Sequence, residues 1–194
     1  MLNHPKTFLL AGISLLLAGC SGSVSPTEFA NPQFDFGFVE RVAVIPFENL
    51  TRDQNAGRRA SRIMATELLA SGALDVVEAG EVQAALAKRP GATYGRIAIP
   101  SKEDVLTLGQ ELNVQALILG TVAQSETLRS GRVGIPVVTI DARMVETETG
   151  TTVWAATHTE KGSSFSAKVL GTSGTPISET TRLCVRQLLK SLVE

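Results

Sequence analysis

Two periods of apolar residues alternate along the chain, and together they predict a layered α/β domain. "RVAVIPF", residues 41–47, is a short apolar run of the kind a strand covered on both faces requires. After the turn "ENLTRDQNAG", where Thr51, Asp53 and Asn55 offer caps, Ala60, Ile63, Met64 and Leu68 recur at helical spacing, with Arg58, Arg59 and Arg62 on another face. Gly72 is placed to close that helix in the left-handed conformation. "LDVVEA", residues 74–79, predicts a second strand, and Val82, Ala85 and Leu86 a short helix running into Lys88-Arg89-Pro90. Residues 90–100 form an irregular connection. Ser101 then caps a third helix, with Asp104 in its first turn and Val105, Leu108 and Leu112 on one face.

The last third changes period. "QALILGTVAQSE" is a strand buried early and polar late. In "VVTIDARMVE", residues 137–146, Val138, Ile140, Ala142 and Met144 face one way and Thr139, Asp141 and Arg143 the other, the mark of a half-buried strand. The turn "TETG", residues 147–150, leads into "TTVWAATHTEKG" as its antiparallel mate. Thr175-Pro176 opens a final helix whose apolar side holds Leu183, Leu188, Leu189, Leu192 and Val193. The predicted fold is a single mixed β-sheet flanked by helices, with a C-terminal antiparallel hairpin and a final helix.

The N-terminal pattern is of another kind. Phe8 to Ala18 is an apolar body behind a short polar head with His4 and Lys6, well short of the ~20 residues a spanning helix needs. Leu17-Ala18-Gly19-Cys20 resembles a bacterial lipobox. That resemblance implies a signal peptide over residues 1–19, cleavage before Cys20, and acyl chains (palmitate among them) on its thiol and new amino terminus. Several chains would make a lasting anchor where one holds only marginally. Ser21 after the cysteine, in place of Asp, favours the outer membrane. Residues 20–38 read as the lipidated cysteine and a linker, and residues 39–194 as the periplasmic domain. The linker carries Phe29, Phe34, Phe36 and Phe38, which are expected to dock on the domain or on a neighbouring subunit.

Composition narrows the function by exclusion. Lys+Arg 18 against Asp+Glu 19 leaves no electrostatic footprint for nucleic acid. With Cys20 acylated, Cys184 has no partner for an internal disulfide; it is either a small buried hydrophobe in the last helix, or a reactive thiol or intermolecular bridge. After cleavage His158 is the remaining histidine, expected at the surface or edge of its strand, and one imidazole makes neither a metal site nor a triad. Asp141 and Glu146 lie on opposite faces by parity. Metal-binding, phosphate-binding and nucleophile motifs are missing from the sequence. The expectation is a protein that is not an enzyme and uses no cofactor.

"RVAVIPFENLT", the arginine-rich helix, "LGQELNVQALILGTV" and "VVTIDARMVETETGTTVW", in that order, resemble the CsgG/PelC/LpoB-like outer-membrane lipoprotein superfamily over roughly residues 40–193. Its members serve curli secretion, Pel exopolysaccharide export and peptidoglycan-synthase activation. The resemblance implies a mixed sheet with helices on both faces, and protein–protein assembly at the outer membrane, often in rings. Pore-forming members insert long hairpins whose strands each need ~9–11 residues with an apolar outer face. Here "TLRSGRVGIP" is short and polar, and "KGSSFSAKVLGTSG" lacks alternation, which argues against a pore. The short linker disfavours the long-armed activator. The expected role is therefore an oligomeric component of an exopolysaccharide export system, with a synthase activator or a curli-type component as alternatives. Two features are candidate interfaces. Trp154, placed with Thr152 and His158 on one hairpin face, is either core packing or an interface anchor. Arg129 and Arg132, in an expected loop over residues 129–136, are either a solvated tip or a contact for an anionic surface or partner.

Overall fold

In a computed structural model, residues 26–89, 100–130, 133–162 and 175–193 are described. The signal segment, Cys20, the 90–99 connection, Arg132 and residues 163–174 lie outside them. Seven strands form one mixed sheet: β1 (Thr27–Ala30), β2 (Arg41–Val44), β3 (Glu48–Asn49), β4 (Asp75–Val76), β5 (Ala116–Ser130), β6 (Val133–Glu146) and β7 (Thr152–Lys161). The order is β1-β7-β6-β5-β2-β4, with β3 continuing beside β5. β2 is parallel to β4 and β5, whereas β5, β6, β7 and β1 are successively antiparallel. The helices are α1 (Ala56–Ser71), α2 (Ala79–Ala87), α3 (Lys102–Leu112) and α4 (Ile177–Val193).

Each face of the sheet has its own core. On one, α1 contributes Ala60, Met64 and Leu68 and α4 contributes Cys184, Val185, Leu188 and Leu189, packed on Val42, Ile118, Ile140 and Met144. On the other, α2 and α3 pack Val82, Val105, Leu108 and Leu112 against Ala43, Ile45, Leu117 and Val145. Odd and even residues of β2 and of the first half of β5 thus enter different cores, as a strand covered on both sides requires. β6 is half-covered, and Val138, Ile140, Ala142 and Met144 are buried as its alternation predicts. Glu67 ties α1 to α4, 2.7 Å from Arg186 and 3.8 Å from Arg182.

The helix ends follow local chemistry. Ser101 and Asp104 form a reciprocal capping box, and Gly72 ends α1 at φ +67°. At Gly109 space decides: a Cβ there would lie 2.2 Å from Thr147 Cβ, because α3 seats directly on the turn after β6. Thr147 Oγ1 in turn donates to the Val114 carbonyl at 2.6 Å.

Three expectations are corrected. Residues 27–38 are part of the fold, not linker. β1 pairs with β7 through Thr27–Thr157 to Ala30–Trp154, and Asn31 N–H donates to the Val153 carbonyl at 2.8 Å. Phe34 and Phe36 meet edge to face at 5.1 Å and pack on the α1/α4 core, so these two dock on their own domain; Phe29 and Phe38 remain 51% and 48% exposed. Second, Glu48–Asn49, expected in a turn, add a short parallel strand to β5. Third, a bulge separates Thr152 from Trp154. Met144 pairs with Trp154 and Val145 with Thr152, leaving Val153 as the extra residue. Thr152 and Trp154 therefore face opposite ways, and Val153 and Trp154 are both buried.

Candidate interaction surface

The β5–β6 hairpin is the longest extension of the sheet. Its register runs without a gap from Gln124–Thr139 to Ser130–Val133, after a bulge between Val122 and Gln124. The expected loop over 129–136 is therefore mostly strand: Arg129 sits opposite Gly134 and Leu128 opposite Ile135. Cross-strand pairing over so many residues overrides the local Gly and Pro signals that suggested a loop, and Pro136 is accommodated opposite Thr127. Arg129 is exposed, as is Leu128 at 45%.

The root of this hairpin is clamped by a polar cluster. Arg59 Nη2 donates to Asp53 Oδ2 at 2.6 Å and to Ser125 Oγ at 3.0 Å, while its Nε donates to Thr181 Oγ1 at 3.3 Å. Ser125 Oγ donates to the same Asp53 oxygen at 3.2 Å. One guanidinium thus joins the 50–55 loop, β5 and the start of α4 to α1. Its fork of donors makes that geometry available to Arg and not to Lys. The hydrogen bond from Arg59 holds the Asp53 carboxyl below the ordinary carboxylate range, against the opposing effect of burial. The loop is also braced from within: Asn49 Oδ1 accepts from the Thr51 N–H at 3.0 Å and the Thr51 hydroxyl at 2.8 Å, and Asn49 Nδ2 donates to the Asp53 carbonyl at 2.8 Å. Asn55, one of the expected caps, stands at the N-cap of α1 without a side-chain capping bond. Sequence reasoning missed Arg59, whose only signal was an Asp six residues before an Arg at a helix start.

At the opposite end of the sheet, Trp154 is fully buried, and its Nε1 donates to Ser191 Oγ at 3.1 Å. It lies inside the α1/α4 core, which leaves no indole surface on this chain for a partner. His158, expected at the surface, is 5% exposed, because residues on the Trp154 face of β7 are covered by α4. Its Nε2 lies 3.2 Å from Glu160 Oε2, and its Nδ1 has no hydrogen-bond partner among the described residues. Cys184 lies beneath the same strands, 3.4 Å from the His158 carbonyl, and burial pushes its thiol up to about 12. That is the environment of a packing residue and not of a nucleophile. A shallow groove of 380 Å³ opens beside Phe36, Val39, Leu74, Met144 and Leu192. Among the described residues, no group of three or more His, Cys, Asp or Glu converges as a metal site, and no helix is long and apolar enough to cross a membrane.

No protein-family model matches the chain, and no curated protein matches it either. Solved structures do. The dodecameric PelC from Paraburkholderia phytofirmans is similar at 24% identity with a TM-score of 0.60, over 87% of this chain and 96% of that one. The lipoprotein GNA1162 from Neisseria meningitidis is similar at 16% identity with a TM-score of 0.53, over 79% of this chain and 97% of that one. At these identities the likeness is one of fold alone, over most of the chain.

Proposed function

We propose that this chain is a non-enzymatic lipoprotein, anchored through Cys20 on the periplasmic face of the outer membrane, that assembles with copies of itself as a component of an exopolysaccharide export apparatus. The observation that carries the reading is the fold shared with dodecameric PelC across 96% of that chain. The lipobox-like Leu17-Ala18-Gly19-Cys20 supports the anchor. With β1 beginning at Thr27, few residues separate Cys20 from the folded domain, which holds that domain close to the bilayer.

The test combines location and mass. Wild-type protein is expected in the outer-membrane fraction and Cys20→Ser in the soluble periplasm, still folded, since the anchor is covalent lipid. Native mass spectrometry of the Cys20→Ser protein is expected to show a closed ring of many copies. A Cys20→Ser protein that stays with the membrane would remove the anchor as the sole attachment. A stable monomer that binds a cell-wall synthase would replace the export reading with the activator one.

A further inference from the structure

We propose that the tip of the β5–β6 hairpin, through Leu128 and Arg129, rests in the anionic phospholipid headgroups to which Cys20 is tethered; the inference rests on the anchor reading above. Strand direction carries it. β5 runs toward the tip, β6 away from it, β7 toward it and β1 away from it again. Thr27, the first residue of β1, therefore lies at the end of its strand that faces the hairpin tip.

The levels also agree. Thr27 stands opposite Thr157, which pairs with Asp141. From Asp141 to Gly134, the partner of Arg129, is seven residues of strand, or about 23 Å. From Thr27 back to Cys20 is seven residues, which span at most about 25 Å. An acylated Cys20 thus keeps the bilayer within reach of the level that Arg129 occupies, at the same end of the molecule.

The tip has the chemistry of such a contact. β7 runs as far as Lys161, opposite Val137. Beyond that level the described hairpin is a two-stranded ribbon with Leu128 and partly exposed Ile135 paired across it. A two-stranded ribbon of this kind is marginal in water and gains from a surface that covers its apolar pair. Arg129 has no ion-pair partner among the described residues, and Glu126, the nearest carboxylate on β5, lies on the other face by parity and accepts a hydrogen bond from Gln124. Adjacent residues point to opposite faces, so a ribbon entering the headgroups end-on places Leu128 and Arg129 both in lipid. The arginine meets phosphate and the leucine the upper acyl region. The attraction acts within a Debye length, about 8 Å at physiological salt, so it needs the tip at the surface.

The experiment uses the mature protein acylated at Cys20, reconstituted into phosphatidylethanolamine/phosphatidylglycerol vesicles, with a nitroxide on Leu128→Cys or, as control at the far end of α1, on Leu69→Cys. Buried Cys184 stays unlabelled. The label at 128 is expected to be shielded from a water-soluble nickel chelate and open to oxygen, with the reverse at 69. Arg129→Glu, or high salt, is expected to return the 128 label to water. A 128 label as accessible to the chelate as the 69 label, on protein that floats with the vesicles, overturns the hairpin contact and leaves the anchor standing. Wild-type protein that proves to carry no acyl chains on Cys20 and does not float with the vesicles removes the anchor reading and this proposal with it. Spin–spin broadening at 128 together with a label that stays open to the chelate in the vesicles overturns the proposal in favour of contact between copies.

Discussion

Trp154 Nε1 donates to Ser191 Oγ, joining β7 to the last turn of α4 at 3.1 Å. The bond satisfies the one polar atom of a ring that is otherwise sealed in the core, as a buried indole requires. Trp154→Ala is expected to cost about 3–5 kcal/mol through the cavity it leaves. Ser191→Ala, which strands the indole N–H, is expected to cost about 1–3 kcal/mol. Urea denaturation checks both, with a lower midpoint at unchanged slope. Assembly by the fraction that remains folded should be unaltered; a loss of assembly at unchanged stability would make Trp154 an interface residue after all.

Asp53 links stability to acid. Its folded carboxyl is held below the value of the unfolded chain by the Arg59 hydrogen bond. The contribution is therefore present above the ordinary value of 3.8 and is lost as pH falls through the depressed folded value. Asp53→Asn should flatten the decline of stability below about pH 4. Denaturation midpoints of both proteins, taken between neutral pH and the acid limb, measure the difference.

Arg59→Ala should destabilise by about 1.5–3 kcal/mol, the range for hydrogen bonds to charged groups. Arg59→Lys should recover only part of this, because an ammonium cannot reach Asp53, Ser125 and Thr181 from one planar fork. Full recovery by lysine would reduce the cluster to simple charge pairing.

Cys184 should resist thiol reagents in the native protein and react in urea, since its thiol is buried and pushed up to about 12. The sign also fixes an alkaline effect. Above the ordinary value of 9.0 the unfolded thiol ionises while the folded one stays neutral, so stability declines as pH rises past that point. Cys184→Ala should remove that part of the alkaline slope. Rapid labelling of native protein would show that the site opens.

Gly109→Ala should cost about 1–3 kcal/mol of overpacking, because its Cβ would overlap Thr147. Gly80→Ala, where a Cβ meets nothing within 4 Å, is the control and should be neutral or slightly stabilising. Thermal melts of the two variants separate close approach from helix propensity.

The amino-acid sequence by itself determined the helix faces, the strand alternation of β6, the Ser101 and Gly72 caps and the order of the main elements. Each of these is written in neighbouring residues, where period and capping chemistry act over a few positions. The proposed tether at Cys20 rests on sequence alone. Only the tertiary structure decided what depends on distant partners. Thr27–Ala30 becomes a strand because β7 offers a free edge, and the hairpin continues past Arg129 because its two strands stay in register. Val153 enters the core because a bulge shifts it, and His158 is covered because α4 crosses its strand. Arg59, one of three arginines near one another on α1, becomes the clamp because Asp53, Ser125 and Thr181 converge on it from three other segments. Pairing, register and convergence are set by contacts between residues far apart in the chain, and local periodicity carries no record of them.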